Sequence, residues 1–252
     1  PYALFLILFV IAPLVVIIYY AFTNGQGQFT FENFINFFSS TNTIGTLIYS
    51  LFLAAVTTIV CLIIAYPTAY ILARSGFKKQ HVLLMLFILP MWINFTLRIT
   101  ALKEVLALIE GNIARYTFLY SVIGMVYDFL PFMILPLYTC FLKLDKNLME
   151  AASDLGANRF MVFLRVTLPL SVPGIISGIT MVLLPSMTNY VVLDMLYNST
   201  YIMGSLIGSY FSAYDWNNGS MISLVLLVII FIITLVTNRF TDKEENSGRA
   251  VL

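Results

Sequence analysis

Six stretches of this chain run for about twenty residues with almost no charged side chain, and that feature constrains its folding more than any other. They are Tyr2–Phe22, Ile44–Ala73, His81–Lys103, Tyr116–Leu142, Pro169–Leu193 and Ser220–Asn238. An α-helix rises 1.5 Å per residue, so about 20 apolar residues cross the roughly 30 Å of hydrocarbon in a bilayer. Only 10 % of the chain is charged and 60 % is apolar, with a mean hydropathy of +0.94. Soluble domains carry about 25 % charged residues, so this chain lacks the charge to cover a water-facing surface. Transmembrane strands alternate apolar and polar residues, whereas these runs are apolar all round. The expected fold class is therefore all-α, a polytopic membrane protein of six transmembrane helices.

The charges that remain give the expected orientation. Arg74, Lys78 and Lys79 lie between runs two and three; Lys143, Lys146, Arg159 and Arg165 lie between four and five; Arg239, Lys243 and Arg249 follow run six. These are ten of the thirteen basic residues. Residues 23–43 and 194–219 have none, and residues 104–115 have only Arg115. Lys and Arg accumulate on the cytoplasmic side of a membrane protein, which places both chain ends inside. The first run is too long for the apolar core of a signal peptide, and Pro1 in place of Met leads us to expect residues upstream. Three segments are expected: 1–43, the first span with its outer loop; 44–238, the main membrane domain; and 239–252, a cytoplasmic tail. Cys61 and Cys140 lie inside apolar runs and His81 is the one histidine, so neither a disulfide framework nor a metal centre is expected. No cofactor, catalytic residue or nucleic-acid surface is expected either.

The inner stretch Lys143–Pro169 reads KLDKNLMEAASDLGANRFMVFLRVTLP and is not loop-like. Residues 147–155 are rich in helix formers, with Asp145 available as an N-cap and Gly156 as a C-terminal stop. A second helical run, 159–167, follows Asn158, another good cap, and Leu168-Pro169 is expected to break the backbone before the fifth span. The small residues Ala151 and Ala152 would let another protein's surface approach closely; an amphipathic helix lying in the interface is the alternative.

Glu150-Ala151-Ala152, Gly156 four residues later, Val166 and Leu168-Pro169 resemble the EAA loop of ABC importer permeases, with Val166 in the place of the usual Ile. The flanking segments 143–157, 124–138 and 66–74, with Pro90-Met91-Trp92, Asn94 and Arg98-Ile99, are similar to the permeases of spermidine/putrescine importers. The resemblance implies a type I ABC importer permease fold in a bacterial plasma membrane, with a coupling helix at about 147–160. It also implies that Glu150, Ala151, Ala152, Asp154, Gly156, Leu168 and Pro169 contact an ATP-hydrolysing subunit. The chain has no GxxxxGK[ST] phosphate loop of its own, so it is not expected to be an enzyme. The implied partners are a dimer of ATP-binding subunits, a second homologous permease and an extracellular or periplasmic polyamine-binding protein, all within membrane lipid. Ferric ion, thiamine or sulfate are the competing substrates. A stand-alone secondary transporter would call for inverted repeats or paired broken helices, and no repeat is evident.

Ionisable groups at bilayer depth are candidates for function. Arg98 lies about 16 residues from the inner end of the third run and Asp128 about 12 from the outer end of the fourth, so the two reach similar depths. They could form a structural ion pair, or Asp128 could offer its carboxylate to a cation in transit. Asp194, at the outer end of run five with no basic residue nearby in sequence, is either a solvated surface carboxylate or a cation site beside tyrosine rings. Tyr190, Trp92 and Tyr127 are the further candidates for an aromatic-lined path. Run five carries Pro169, Pro173 and Pro185 with Gly174 and Gly178 in GxxxG spacing, which marks close helix contact; it is expected to lie at a subunit interface, beside the translocation path, or both. Residues 201–211 are too short and polar to span and are expected to form a ledge or re-entrant helix.

Overall fold

The computed structural model describes residues 2–74, 79–110, 116–197 and 201–249. Lys78 and Arg115, counted above for orientation, fall outside them. The described residues form eleven helices: α1 Tyr2–Ala21, α2 Glu32–Ser39, α3 Thr41–Arg74, α4 Gln80–Ile88, α5 Phe95–Glu110, α6 Thr117–Lys143, α7 Lys146–Asp154, α8 Arg159–Ser186, α9 Tyr190–Tyr197, α10 Met203–Ser212 and α11 Trp216–Arg249. Five of these, α1, α3, α6, α8 and α11, are long and apolar enough to cross a membrane. The third run behaves differently. A short 3₁₀ turn, Leu89–Trp92, ends α4, and α5 leaves it at 98°. The cause is local: Pro90 cannot continue the hydrogen-bond ladder, and Ile93 then turns to extended backbone. The third run is thus a bent pair of helices rather than one straight helix.

The hub of the bundle is α6. The apolar window of α6 is 61 % buried, against 28 % for α8. Between lipid-immersed helices there is no hydrophobic driving force, so close van der Waals contact has to hold them. Here glycine supplies it within the chain. A Cβ at Gly174 would stand 2.6 Å from Cys140 Cβ, and one at Gly178 would stand 2.5 Å from Met133 Sδ. Gly124 on α6 admits Leu196 of α9 in the same way, at 2.6 Å. The GxxxG pair is therefore spent on packing α8 against α6.

Two wide π-helical turns each end two residues before a proline. In α1 the turn Ile7–Ile11 lets the Ala12 N–H reach back to Ile7 O, and Pro13 follows. In α8 the turn Phe163–Thr167 lets the Leu168 N–H reach Phe163 O, and Pro169 follows. The extra residue opens the turn where a proline ring would clash with the preceding carbonyl. Leu168-Pro169 therefore does not break the backbone: α8 runs unbroken from the short inner segment into the span, and ends at Ser186 rather than Leu193.

The remaining helices dock by capping. Asn33 Nδ2 donates to Ala21 O (3.1 Å) and Thr23 O (3.0 Å), and Asn217 Nδ2 donates to Tyr20 O (3.1 Å) and Thr23 O (2.6 Å). These bonds satisfy carbonyls that the end of α1 leaves without intrahelical partners. α1 otherwise lies at the edge, packed on α11, with none of its apolar window buried. The ledge expected at residues 201–211 is α10. Its first N–H, on Met203, donates to Ser50 Oγ of α3 at 2.9 Å, and Gly204 lets the Thr188 carbonyl approach within contact.

The glycine contacts predict opposite outcomes for two substitutions. Gly174→Val is expected to destabilise the detergent-solubilised protein by about 1–3 kcal/mol through overpacking against Cys140, read as a lowered midpoint of thermal unfolding. Gly45→Ala, where a Cβ meets nothing within 4 Å, is expected to be neutral or stabilising by up to about 1 kcal/mol.

Candidate functional site

Arg98 and Asp128 meet. α5 carries Arg98 back from the elbow, and α6 presents Asp128 from the opposite direction; the Arg98 Nη2 group donates to Asp128 Oδ1 in the only ion pair among the described residues. Both side chains are 7 % exposed. An isolated charge in such surroundings is costly, so each partner makes the other tolerable. Two further bonds complete the cluster. Arg98 Nη1 donates to Pro90 O at 3.1 Å, a carbonyl at the elbow that also accepts from the Ile93 N–H at 3.2 Å. Asn189 Nδ2 donates to Asp128 Oδ2 at 3.0 Å from the turn between α8 and α9. The guanidinium also lies 5.7 Å from the ring centres of both Phe95 and Tyr127, within cation–π range.

One polar joint therefore connects the break in run three, the hub α6 and the break after run five. Beside it lies a recess of about 320 Å³, lined by Met91, Ile93, Phe95, Phe129, Phe132 and the three polar partners. Of the aromatic candidates, Tyr127 belongs to this joint. Trp92 is 84 % exposed and takes part in none of the ring contacts among the described residues. Tyr190 turns toward α10, where a Cβ on Gly208 would lie 3.9 Å from its ring. Asp194 is exposed on α9. It is not remote from basic groups: Lys103 of α5 donates to the carbonyl of the next residue, Met195, at 3.1 Å.

Asn189 and Lys103 are the residues that sequence reasoning passed over. Asn189 follows Pro185 closely, and a polar amide just past a proline-interrupted span was the available signal. Nothing in the sequence pairs Lys103 with α9.

The second candidate region is the knuckle formed by α7 and the start of α8. Asp145 accepts from the Asn147 N–H (3.0 Å) and Asn158 from the Met161 N–H (2.8 Å), so both expected caps are made. At the C-terminus of α7 the Ala157 N–H bonds Ala152 O (3.1 Å) and the Gly156 N–H bonds Ser153 O (2.9 Å). This is the paired geometry of a Schellman stop, and it requires the left-handed backbone that Gly156 takes at φ 85°. α7 has no buried residue. Leu155 is 90 % exposed and Phe160 68 %, so the knuckle presents apolar side chains to its surroundings. Glu150, Ala151 and Asp154 are exposed with them, and Ala152 is half-buried. Pro169 is exposed and Leu168 half-buried, directly after the π turn.

Comparisons with known proteins bear on both regions. Residues 65–243 match the family described as binding-protein-dependent transport system inner membrane components. The chain is 37 % identical over 256 residues to the spermidine/putrescine transport system permease protein PotB of Haemophilus influenzae, covering 93 % of this chain and 89 % of that protein. It is 36 % identical over 207 residues to PotB of Escherichia coli K12, covering 75 % of each. Among solved structures, a bacterial ABC transporter involved in import of the acidic polysaccharide alginate superposes with a TM-score of 0.77. It covers 96 % of this chain and 93 % of that one at 16 % identity, a likeness of fold.

The polar joint sets a clear expectation for stability. Arg98→Gln leaves Asp128 buried without its counter-ion and is expected to cost about 3–5 kcal/mol, seen as loss of the folded peak in size-exclusion chromatography. Pairing it with Asp128→Asn removes both charges and is expected to recover most of that loss, so a double-mutant cycle measures the coupling.

Proposed function

This chain belongs to the family of binding-protein-dependent transport system inner membrane components, and on that premise we propose that it is the permease subunit of an ATP-driven polyamine importer. The observation that carries this reading is the 37 % identity to a spermidine/putrescine permease over nearly the whole of both chains. The basic end of the bundle then faces the cytoplasm with both chain ends, and residues 44–238 form the transporting domain.

ATP chemistry belongs to a separate pair of ATP-binding subunits. α7 and the first turns of α8, with Glu150, Ala151, Ala152, Asp154, Gly156, Leu168 and Pro169, couple to one of them. The support is physical: a well-capped helix with no buried face and exposed Leu155 and Phe160 is a surface made to be covered. A second permease completes the path, and a polyamine-binding protein delivers cargo at the opposite end. Transport is alternating access, a shift between two packed states driven by the ATPase.

In the path itself, the Arg98–Asp128 pair acts first as a structural pin. The recess beside it favours a second role, in which Asp128 attracts an ammonium group while Asn189 and the Tyr127 face hold its surroundings. Asp194, Tyr190 and Trp92 are assigned to the outer approach, where exposed carboxylate and ring faces suit an alkylammonium chain.

Uptake of radiolabelled spermidine and putrescine, in cells lacking their own polyamine import, tests the reading. Vanadate-insensitive uptake, or none of either polyamine, would overturn it. Gly156→Val forces a β-branched residue into left-handed backbone at a cost of about 1–2 kcal/mol. It is expected to abolish most uptake while the protein still inserts in the membrane and binds its partners more weakly in pull-down.

A further inference from the structure

We propose that the basic end of the bundle carries a binding site for the phosphate headgroup of an anionic phospholipid, in the recess where the last turn of α3 meets the junction of α6 and α7. The recess measures about 580 Å³. Arg74, Lys143 and Lys146 line it and Asp145 is the carboxylate on its wall, so three cations stand against one anion. The groups are held there by the fold. Arg74 Nη2 donates to Leu144 O at 2.8 Å, which fixes the guanidinium beside the end of α6. Asp145 Oδ1 is engaged by the Asn147 N–H as a helix cap.

These cations have little to do inside the chain. The ion pair of the described residues lies elsewhere, at Arg98–Asp128. The buried Arg74 Nε has no hydrogen-bond partner, and the same guanidinium keeps donors beyond the one bond to Leu144. A phosphate offers the acceptor oxygens that such a cluster lacks, and arginine matches its geometry.

The walls decide the source of the phosphate. Phe141 and Leu142 close the recess on the α6 side, and Leu142 is 43 % exposed. A lipid anchored here by its headgroup would lay its acyl chains along the apolar flanks of α3 and α6. A free phosphate or a nucleotide would use the same cations and gain nothing from those flanks. Basic pockets between spans on the cytoplasmic side are suited to acidic headgroups, each nearby Lys or Arg contributing about 1 kcal/mol.

The test uses the full chain, in whatever complex it is purified, reconstituted into bilayer discs of phosphatidylcholine with or without phosphatidylglycerol. Native mass spectrometry then counts retained lipids. The wild type is expected to hold phosphatidylglycerol preferentially, and Lys143→Gln with Lys146→Gln to weaken that preference about thirtyfold. Arg74 is left in place because its bond to Leu144 is structural, and thermal unfolding checks that the double variant folds. Arg159→Gln with Arg165→Gln, cations outside the recess, is expected to leave the preference unchanged. Equal retention by wild type and the Lys143/Lys146 variant would overturn the proposal. So would displacement of the lipid by inorganic phosphate alone, which would identify a free-anion site, or by a soluble acidic peptide, which would identify a protein contact.

Discussion

A full positive charge cannot remain alone at bilayer depth, and much of this structure follows from how Arg98 is accommodated. The guanidinium needs a counter-ion, and Asp128 on α6 supplies it. It needs acceptors for its remaining donors, and the Pro90 carbonyl at the elbow takes one of them beside the Ile93 N–H. Asp128 in turn has a second oxygen, which takes the Asn189 amide. Each irregularity thereby answers another: the bend in the third run, the turn after α8 and the two buried charges form one connected set, in which the buried Arg98 Nε has no hydrogen-bond partner.

Around that joint the bundle is held by proximity rather than by the avoidance of water. Helices already surrounded by hydrocarbon gain little from burying leucine, so contact distance decides. Gly124, Gly174 and Gly178 bring α8 and α9 against α6 to distances that a methyl group would prevent. The outlying helices are attached by hydrogen bonds to backbone ends, as where Asn33 and Asn217 share the carbonyls that close α1.

Much of this was legible in the sequence, and the part that was not has physical reasons. Apolar runs and basic loops gave the helices and the expected sidedness because both signals are local. Asp145, Asn158 and Gly156 were readable as caps and stop because capping chemistry acts over three or four residues. Arg98 and Asp128 could be placed at similar depth by counting, though counting alone left both the ion pair and the substrate role open. The elbow was missed because Pro90 within an apolar run looks like one of several tolerated prolines. Pro169 was misjudged in the other direction, since a π turn of one extra residue absorbs it and no composition signal announces that turn.

The unbroken course of α8 has a mechanical consequence. From Arg159 to Ser186 it is one rod of 28 residues, about 42 Å long at 1.5 Å per residue. Its near end is the knuckle and its far end gives way to the turn that holds Asn189 against Asp128. One continuous helix thus ties the position of the knuckle to the turn whose amide grips the buried carboxylate, as a tie-beam joins two distant corners of a frame.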